Sequence, residues 1–212
     1  MKSPLAEAER DRLIEAMLPD IAFEGWTRAA VHAGARNAGL RLPEALALFP
    51  GGAADLVGCF SRWADRHMLD RLEAAPLDGL RTHERIARAI AIRLEILQPW
   101  REAVRRGLTV LALPQNVPLA LRLLYETVDA IWYAAGDSAT DFSFYTKRAS
   151  LAAVHTATML YWLEDRSEGF ADTRAFLDRR LGDLAWIGRM RADLARVAER
   201  LPDPLRLLRR SR

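Results

Sequence analysis

The chain has 212 residues, half of them hydrophobic and 28% charged, which suits one soluble globular domain, or one with a small N-terminal subdomain, and excludes collagenous and low-complexity classes. Its 31 Lys and Arg (only Lys2 and Lys147 are lysines) against 28 Asp and Glu leave a net charge of +3, too little for a polycation. The single cysteine, Cys59, excludes an internal disulfide and a Cys-based metal site, and no apolar run approaches the roughly 18 residues that span a bilayer.

Almost the whole chain reads as helix, with no convincing period-2 segment between hairpin turns. The first residues, Met-Lys-Ser-Pro-Leu-Ala-Glu, lack the apolar run of a signal peptide. Residues 5–18 place Leu13, Ile14, Met17 and Leu18 on one helical face, and Pro19 is expected to end it. A second helix opens at Gly25-Trp26-Thr27 and closes at Gly39. A short third starts at Leu42-Pro43-Glu44 and stops before Phe49-Pro50-Gly51-Gly52. A longer helix covers about Ala54 to Ala74, carrying Leu56, Phe60, Trp63 and His67 at helical spacing.

Over 81–98, Ile86, Ile90, Leu94 and Leu97 form one stripe, and Arg85, Arg88 and Arg93 are placed off it. Pro99 and Gly107 bound a short segment containing Trp100. The next helix runs from about Leu119 to Ala135. Another runs from about Phe142 to Glu164, apolar on more than one face and so expected to be buried centrally. Asp172-Thr173 is expected to cap a last helix through Phe176 and Leu177.

No catalytic set emerges. His32, His67, His83 and His155 stand in no Glu-x-x-His or His-Glu-x-x-His frame, so they read as surface or partly buried structural histidines and no metal is expected. There is no Gly-x-Ser-x-Gly elbow, and Cys59 on an apolar helix face reads as a buried, inert thiol. Gly51-Gly52 lacks the rest of a phosphate loop. Residues 27–52 scan as helix-turn-helix, but residues 43–52 contain no Arg, Lys, Asn or Gln for phosphate or base contacts, so nucleic acid is not an expected partner.

Two stretches hold more information. In 129–148, Trp132, Tyr133, Phe142, Phe144 and Tyr145 lie close to Asp129, Asp137, Asp141, Lys147 and Arg148, a richer mixture than a helical turn requires. Gly136 suits the end of one helix and Asp137, Ser138 or Thr140 the cap of the next. From Gly188 to Arg212 there are 8 Arg and 3 acids, a net +5, which leaves −2 on the first 187 residues. There Ile187, Met190, Leu194, Val197 and Leu201 make one apolar stripe. Arg189, Arg196 and Arg200 lie opposite, Arg191 flanks it, and Arg209 and Arg210 follow. That pattern fits a helix lying on an anionic membrane, and equally a last helix packed on the body or in an oligomer.

The block Asp129-x2-Trp132-x3-Gly136-Asp137-x2-Thr140-Asp141-Phe142-x2-Tyr145-Thr146-Lys147-Arg148-Ala149-x-Leu151-Ala152 is specific. With Asp165-x-Ser167, Thr173 and Phe176-Leu177-x-Arg179-Arg180, it resembles the ninth Coq protein family of ubiquinone biosynthesis and its bacterial, "rpsU-divergently transcribed" relatives, over about residues 10 to 185. The resemblance implies an all-α, TetR-like fold, with a three-helix helix-turn-helix remnant and a larger helical ligand-binding body. It implies a non-enzymatic accessory protein that binds isoprenoid quinone precursors or phospholipid, carries no cofactor, and presents its ligand to a late-pathway di-iron hydroxylase. Relatives commonly have Asn-Trp where this chain has Ser143-Phe144, in a neighbourhood that the family uses for the hydroxylase.

The organisation expected is residues 1–74 as the helix-turn-helix-like unit leading into a long helix, 75–187 as the lipid-binding and partner-docking body, and 188–212 as the basic amphipathic segment. The docking patch is assigned to Asp129, Trp132, Asp137, Asp141, Phe144, Tyr145, Lys147 and Arg148. Membrane contact is assigned to Met190, Leu194, Val197, Leu201, Arg191, Arg209 and Arg210. The ligand chamber is expected to be lined by Leu, Trp, Met and Val. A homodimer in the cytoplasm, peripheral on the cytoplasmic membrane face, completes the expectation. The competing reading is a TetR-like ligand-responsive transcriptional regulator, for which Arg28, Arg36 and Arg41 supply some basic character.

Overall fold

The computed structural model describes residues 4–77, 79–136 and 143–183, and among them every regular element is helical. The order is α1 (Pro4–Glu24), α2 (Arg28–Ala38), α3 (Leu42–Ala47), α4 (Ala53–Glu73), α5 (Thr82–Leu97), α6 (Arg101–Leu111), α7 (Val117–Ala134) and α8 (Ser143–Glu164). A 3-10 turn (Glu168–Phe170) leads into α9, helical over 171–183. No single helix among the described residues is long and apolar enough to cross a bilayer.

The three N-terminal helices follow their local signals. Thr27 caps α2, and its hydroxyl accepts the Ala30 N–H at 3.5 Å. Gly39 closes α2 at φ +70°, in the left-handed region where a side chain would be strained. Gly34 faces α1 so closely that a Cβ there would lie 2.2 Å from Met17 Cγ, and this sets how near the two helices come. Pro43 sits in the first turn of α3.

α4 is the central helix. It packs against α1, α5, α6 and α7, and buries Leu56, Val57, Phe60, Trp63, Ala64 and Met68. Trp26 ties the N-terminal unit to the body. Its Nε1–H donates to the Ala103 carbonyl of α6 at 2.9 Å, and its ring lies 5.1 Å from that of Phe60. Gly107 lies in the α6 interior against this indole and Val57.

Several sequence expectations are corrected. α1 runs through Pro19, because Leu18 and Ile21 on either side are buried and their packing outweighs one lost backbone bond. The segment after Pro99 is a full helix, α6. α8 buries Leu151, Val154, Thr158 and Trp162 but leaves Leu160 and Tyr161 exposed, so among the described residues it is not buried all round. Its end is capped from elsewhere. Arg101 Nη1 donates to the Asp165 carbonyl at 2.7 Å and Arg105 Nη2 to the Leu163 carbonyl at 2.9 Å, placing cations at the negative end of the helix. The carboxylate that serves α9 is Asp165 rather than Asp172. It accepts the N–H of Ser167 (2.7 Å) and of Thr173 (2.9 Å). Burial pushes the Asp165 carboxyl up, and hydrogen bonds from Ser167 and Thr173 more than reverse this, to about 2.

Candidate ligand cavity and docking surface

Helices α4 to α8 line a cavity of about 300 Å³. Its walls are Leu108 and Leu111 from α6, Leu123 and Leu124 from α7, and Met159 and Leu160 from α8, with Ala112 and Ala120 between them. Ala112, Thr156 and Leu160 are exposed, so the cavity opens on that side. Leu113, Val117, Leu121 and Tyr125 are also exposed, and Leu113 and Leu121 adjoin the wall residues Ala112 and Ala120. The Leu and Met lining agrees with the sequence expectation. Trp and Val are absent from the lining; Trp26 and Trp63 pack around Phe60 instead, and Trp162 against Phe170.

The other lining groups are polar: Ser61, Arg93, Thr127, His155 and Thr156. Arg93, expected off the apolar stripe of α5, is in fact buried. Its Nε–H donates to Asp65 Oδ1 at 2.7 Å, and its Nη2 donates to Ser61 Oγ at 3.2 Å. The Thr127 hydroxyl lies 3.1 Å and 2.9 Å from the two Asp65 oxygens. A buried guanidinium is tolerable only when paired and hydrogen-bonded in this way. His155 is 1% exposed rather than partly buried, and burial, helped by the Arg93 charge, pushes its imidazole down to about 3. Among the described residues its Nδ1 has no hydrogen-bond partner. Sequence reading missed these groups. The signal available was an Arg on the same element as an apolar stripe, with an Asp in the neighbouring helix.

Part of the stretch assigned to docking lies within the described residues. Asp129, Trp132, Lys147 and Arg148 come together where α7 and α8 face each other. Arg148 closes on Asp129, and Lys147 Nζ stands 5.5 Å from the centre of the Trp132 ring. Tyr145 is 71% exposed, and Tyr133, not assigned to the patch from sequence, is 80% exposed. Gly136 adopts φ +82°, as a residue ending α7 requires. Asp137 and Asp141 fall outside the described residues, as does the Phe144 side chain. Met190, Arg191, Leu194, Val197, Leu201, Arg209 and Arg210 also fall outside them.

Cys59 is buried and its thiol is pushed up to about 11, by burial first and by Asp11 second, so it is inert as expected. Among the described residues no three potential metal ligands converge.

A helix-turn-helix unit joined through Trp26 to a helical body with an internal apolar cavity defines the TetR-like class of all-α proteins. The chain superposes on the crystal structure of a TetR transcriptional regulator from Nitrosomonas europaea with a TM-score of 0.69 and 25% identity, covering 84% of this chain and 99% of that one. A TetR transcriptional regulator from Rhodococcus sp. RHA1 matches in fold, with a TM-score of 0.56, 17% identity, and 86% and 99% coverage.

Within that class the sequence is more particular. The COQ9 family profile matches residues 117–188, which include the 129–148 block and the α7 and α8 walls of the cavity. The mitochondrial ubiquinone biosynthesis protein COQ9 of Rattus norvegicus is 33% identical over 202 residues, covering 92% of this chain and 64% of that protein. The COQ9 of Homo sapiens is 32% identical, with 92% and 63% coverage. The COQ9-B of Xenopus laevis is 32% identical, with 91% and 68% coverage. The chain belongs to the COQ9 family. It spans a little under two thirds of the length of the rat and human relatives.

Proposed function

We propose that this chain is a non-enzymatic lipid-binding accessory protein of ubiquinone biosynthesis. The observation that carries the reading is a cavity of about 300 Å³, walled by Leu and Met, inside a chain of the COQ9 family. A polyprenyl intermediate is almost insoluble, and an apolar cavity shields part of it from water at about 25 cal/mol per Å² before ordering costs. The exposed Leu113, Leu121 and Leu160 beside the opening offer the remaining chain an apolar path. Organic extraction and mass spectrometry of the purified protein tests this. Bound isoprenoid or phospholipid is the expected result, and a protein that neither carries nor takes up such lipids rules the reading out.

In this proposal the protein is a homodimer, peripheral on the cytoplasmic face of the membrane, and residues 188–212 attach it to anionic lipid. The Asp129–Arg148 region with Tyr133 and Tyr145 docks a di-iron hydroxylase. Tyr133→Ala with Tyr145→Ala is expected to weaken co-purification of that enzyme at least about tenfold. Deleting 188–212 is expected to reduce binding to anionic vesicles.

A TetR-like regulator is the second reading, favoured by the likeness to the Nitrosomonas europaea protein. Against it, Arg41 at the start of α3 is already paired with Glu44. A gel-shift assay with competitor DNA across a salt series separates the two, since operator binding survives competitor.

A further inference from the structure

We propose that the polar end of the cavity recognises an uncharged, hydrogen-bonding end group on its apolar ligand and rejects a phosphorylated end on the same chain. This rests on the lipid-binding reading and adds a selectivity to it.

Charge balance is the first support. Among the described residues Arg93 is the sole Arg or Lys in the cavity lining, and Asp65 lies 2.7 Å from its Nε. Both side chains are buried, at 4% and 11% exposure, so the pair is internally neutralised. A phosphate brought to this depth would lose its hydration and find no uncommitted cation among the described residues, a cost of several kcal/mol per buried charge. His155 does not change this balance, because its burial and the Arg93 charge keep the ring neutral at physiological pH.

Hydrogen-bonding capacity is the second. The Thr127 hydroxyl proton is committed to Asp65, and Ser61 Oγ accepts from Arg93. His155 is among the residues that line the cavity, and its buried Nδ1 has no partner among the described residues. An unpaired buried ring nitrogen is costly, and a ligand atom that pairs it recovers that cost. By choice of tautomer the neutral imidazole serves either a hydroxyl or a carbonyl, so a prenyl alcohol, a phenol or a quinone carbonyl all fit. The Leu and Met walls take the adjoining apolar chain.

The test uses the full-length chain and three probes with one tail: farnesol, farnesyl monophosphate and the hydrocarbon farnesene, titrated at pH 7. Farnesol is expected to bind at least about tenfold tighter than the phosphate. It is expected to bind about fivefold tighter than farnesene, and His155→Leu is expected to abolish that second preference. Phosphate binding equal to or tighter than farnesol overturns the proposal while lipid binding stands. So does a hydroxyl preference that persists in His155→Leu. Failure of all three probes to bind overturns the lipid-binding reading and this inference together. If His155→Leu does not fold, the comparison of farnesol with its phosphate on the unaltered chain decides alone.

Discussion

Arg148 of α8 and Asp129 of α7 meet through two guanidinium nitrogens, Nε and Nη2, each 2.7 Å from the same carboxylate oxygen. The arginine is buried and the aspartate is half-exposed, so the pair reaches from the core to the surface. Asp129→Ala takes this carboxylate away from a buried guanidinium. A loss of about 1–2 kcal/mol is expected in urea unfolding, limited by the exposure of Asp129. Asp129→Asn is expected to lose less, because the amide oxygen still accepts a hydrogen bond.

His155 gives the fold a pH dependence. The folded ring is pushed down to about 3, whereas in the unfolded chain it titrates near its ordinary value of 6.5. Above about pH 6.5 neither state is protonated and the residue contributes nothing. As the pH falls from 6.5 towards 3, the unfolded chain gains a proton that the folded chain refuses, so stability declines by roughly 1 kcal/mol per pH unit. The thermal midpoint of the unaltered chain should therefore fall faster on acidification from pH 6.5 to 4 than that of His155→Gln. Parallel curves would show that His155 does not titrate differently in the two states.

Breaking the Arg93–Asp65 pair from one side should be worse than removing it altogether. Arg93→Met leaves Asp65 buried without its cation and is expected to cost about 3–5 kcal/mol. Combining it with Asp65→Leu should recover at least about half of that loss, since no orphaned charge remains. Denaturation of the two single variants and the double variant closes the cycle.

Gly34→Ala sets two effects against each other. Alanine gains about 1 kcal/mol in helix propensity. Its Cβ would lie 2.2 Å from Met17 Cγ and 3.3 Å from Met17 Cα, where Met17 is wholly buried and α1 cannot recede without opening the core. The clash wins, and a net loss of about 1–2 kcal/mol is expected, read as a lower urea midpoint with unchanged slope.

The sequence shows most clearly what is decided locally. Thr27, Gly39 and Pro43 mark the ends of α2 and the start of α3, and the stripe of Ile86, Ile90, Leu94 and Leu97 marks the buried face of α5. The all-α class follows from such signals, and the TetR-like fold from what the family resemblance of the 129–148 block implies. Pro19, Arg93 and Asp165 mislead because their partners are distant. Pro19 is held in helix by core packing around it, Arg93 is drawn inward by Asp65, 28 positions earlier, and Asp165 serves a helix that begins several residues later. The polar end of the cavity is unreadable for the same reason. Ser61, Arg93, Thr127 and His155 lie on four different helices and converge only once those helices have docked. Tyr133 was visible as an aromatic residue but not as a surface one, since an aromatic next to Trp132 suits the core equally well.

That convergence also acts on assembly. Apolar stripes such as those of α4 and α5 tolerate sliding, because Leu and Ile surfaces match nearly as well one turn along. The Asp65–Arg93–Thr127 cluster does not. A slip of one turn, about 5.4 Å, would bury an acid against aliphatic carbon and strand a guanidinium among methyl groups. The cluster thus works as a registration mark for α4, α5 and α7: misaligned dockings are penalised by unpaired charge, and only one alignment of the three helices leaves every member satisfied.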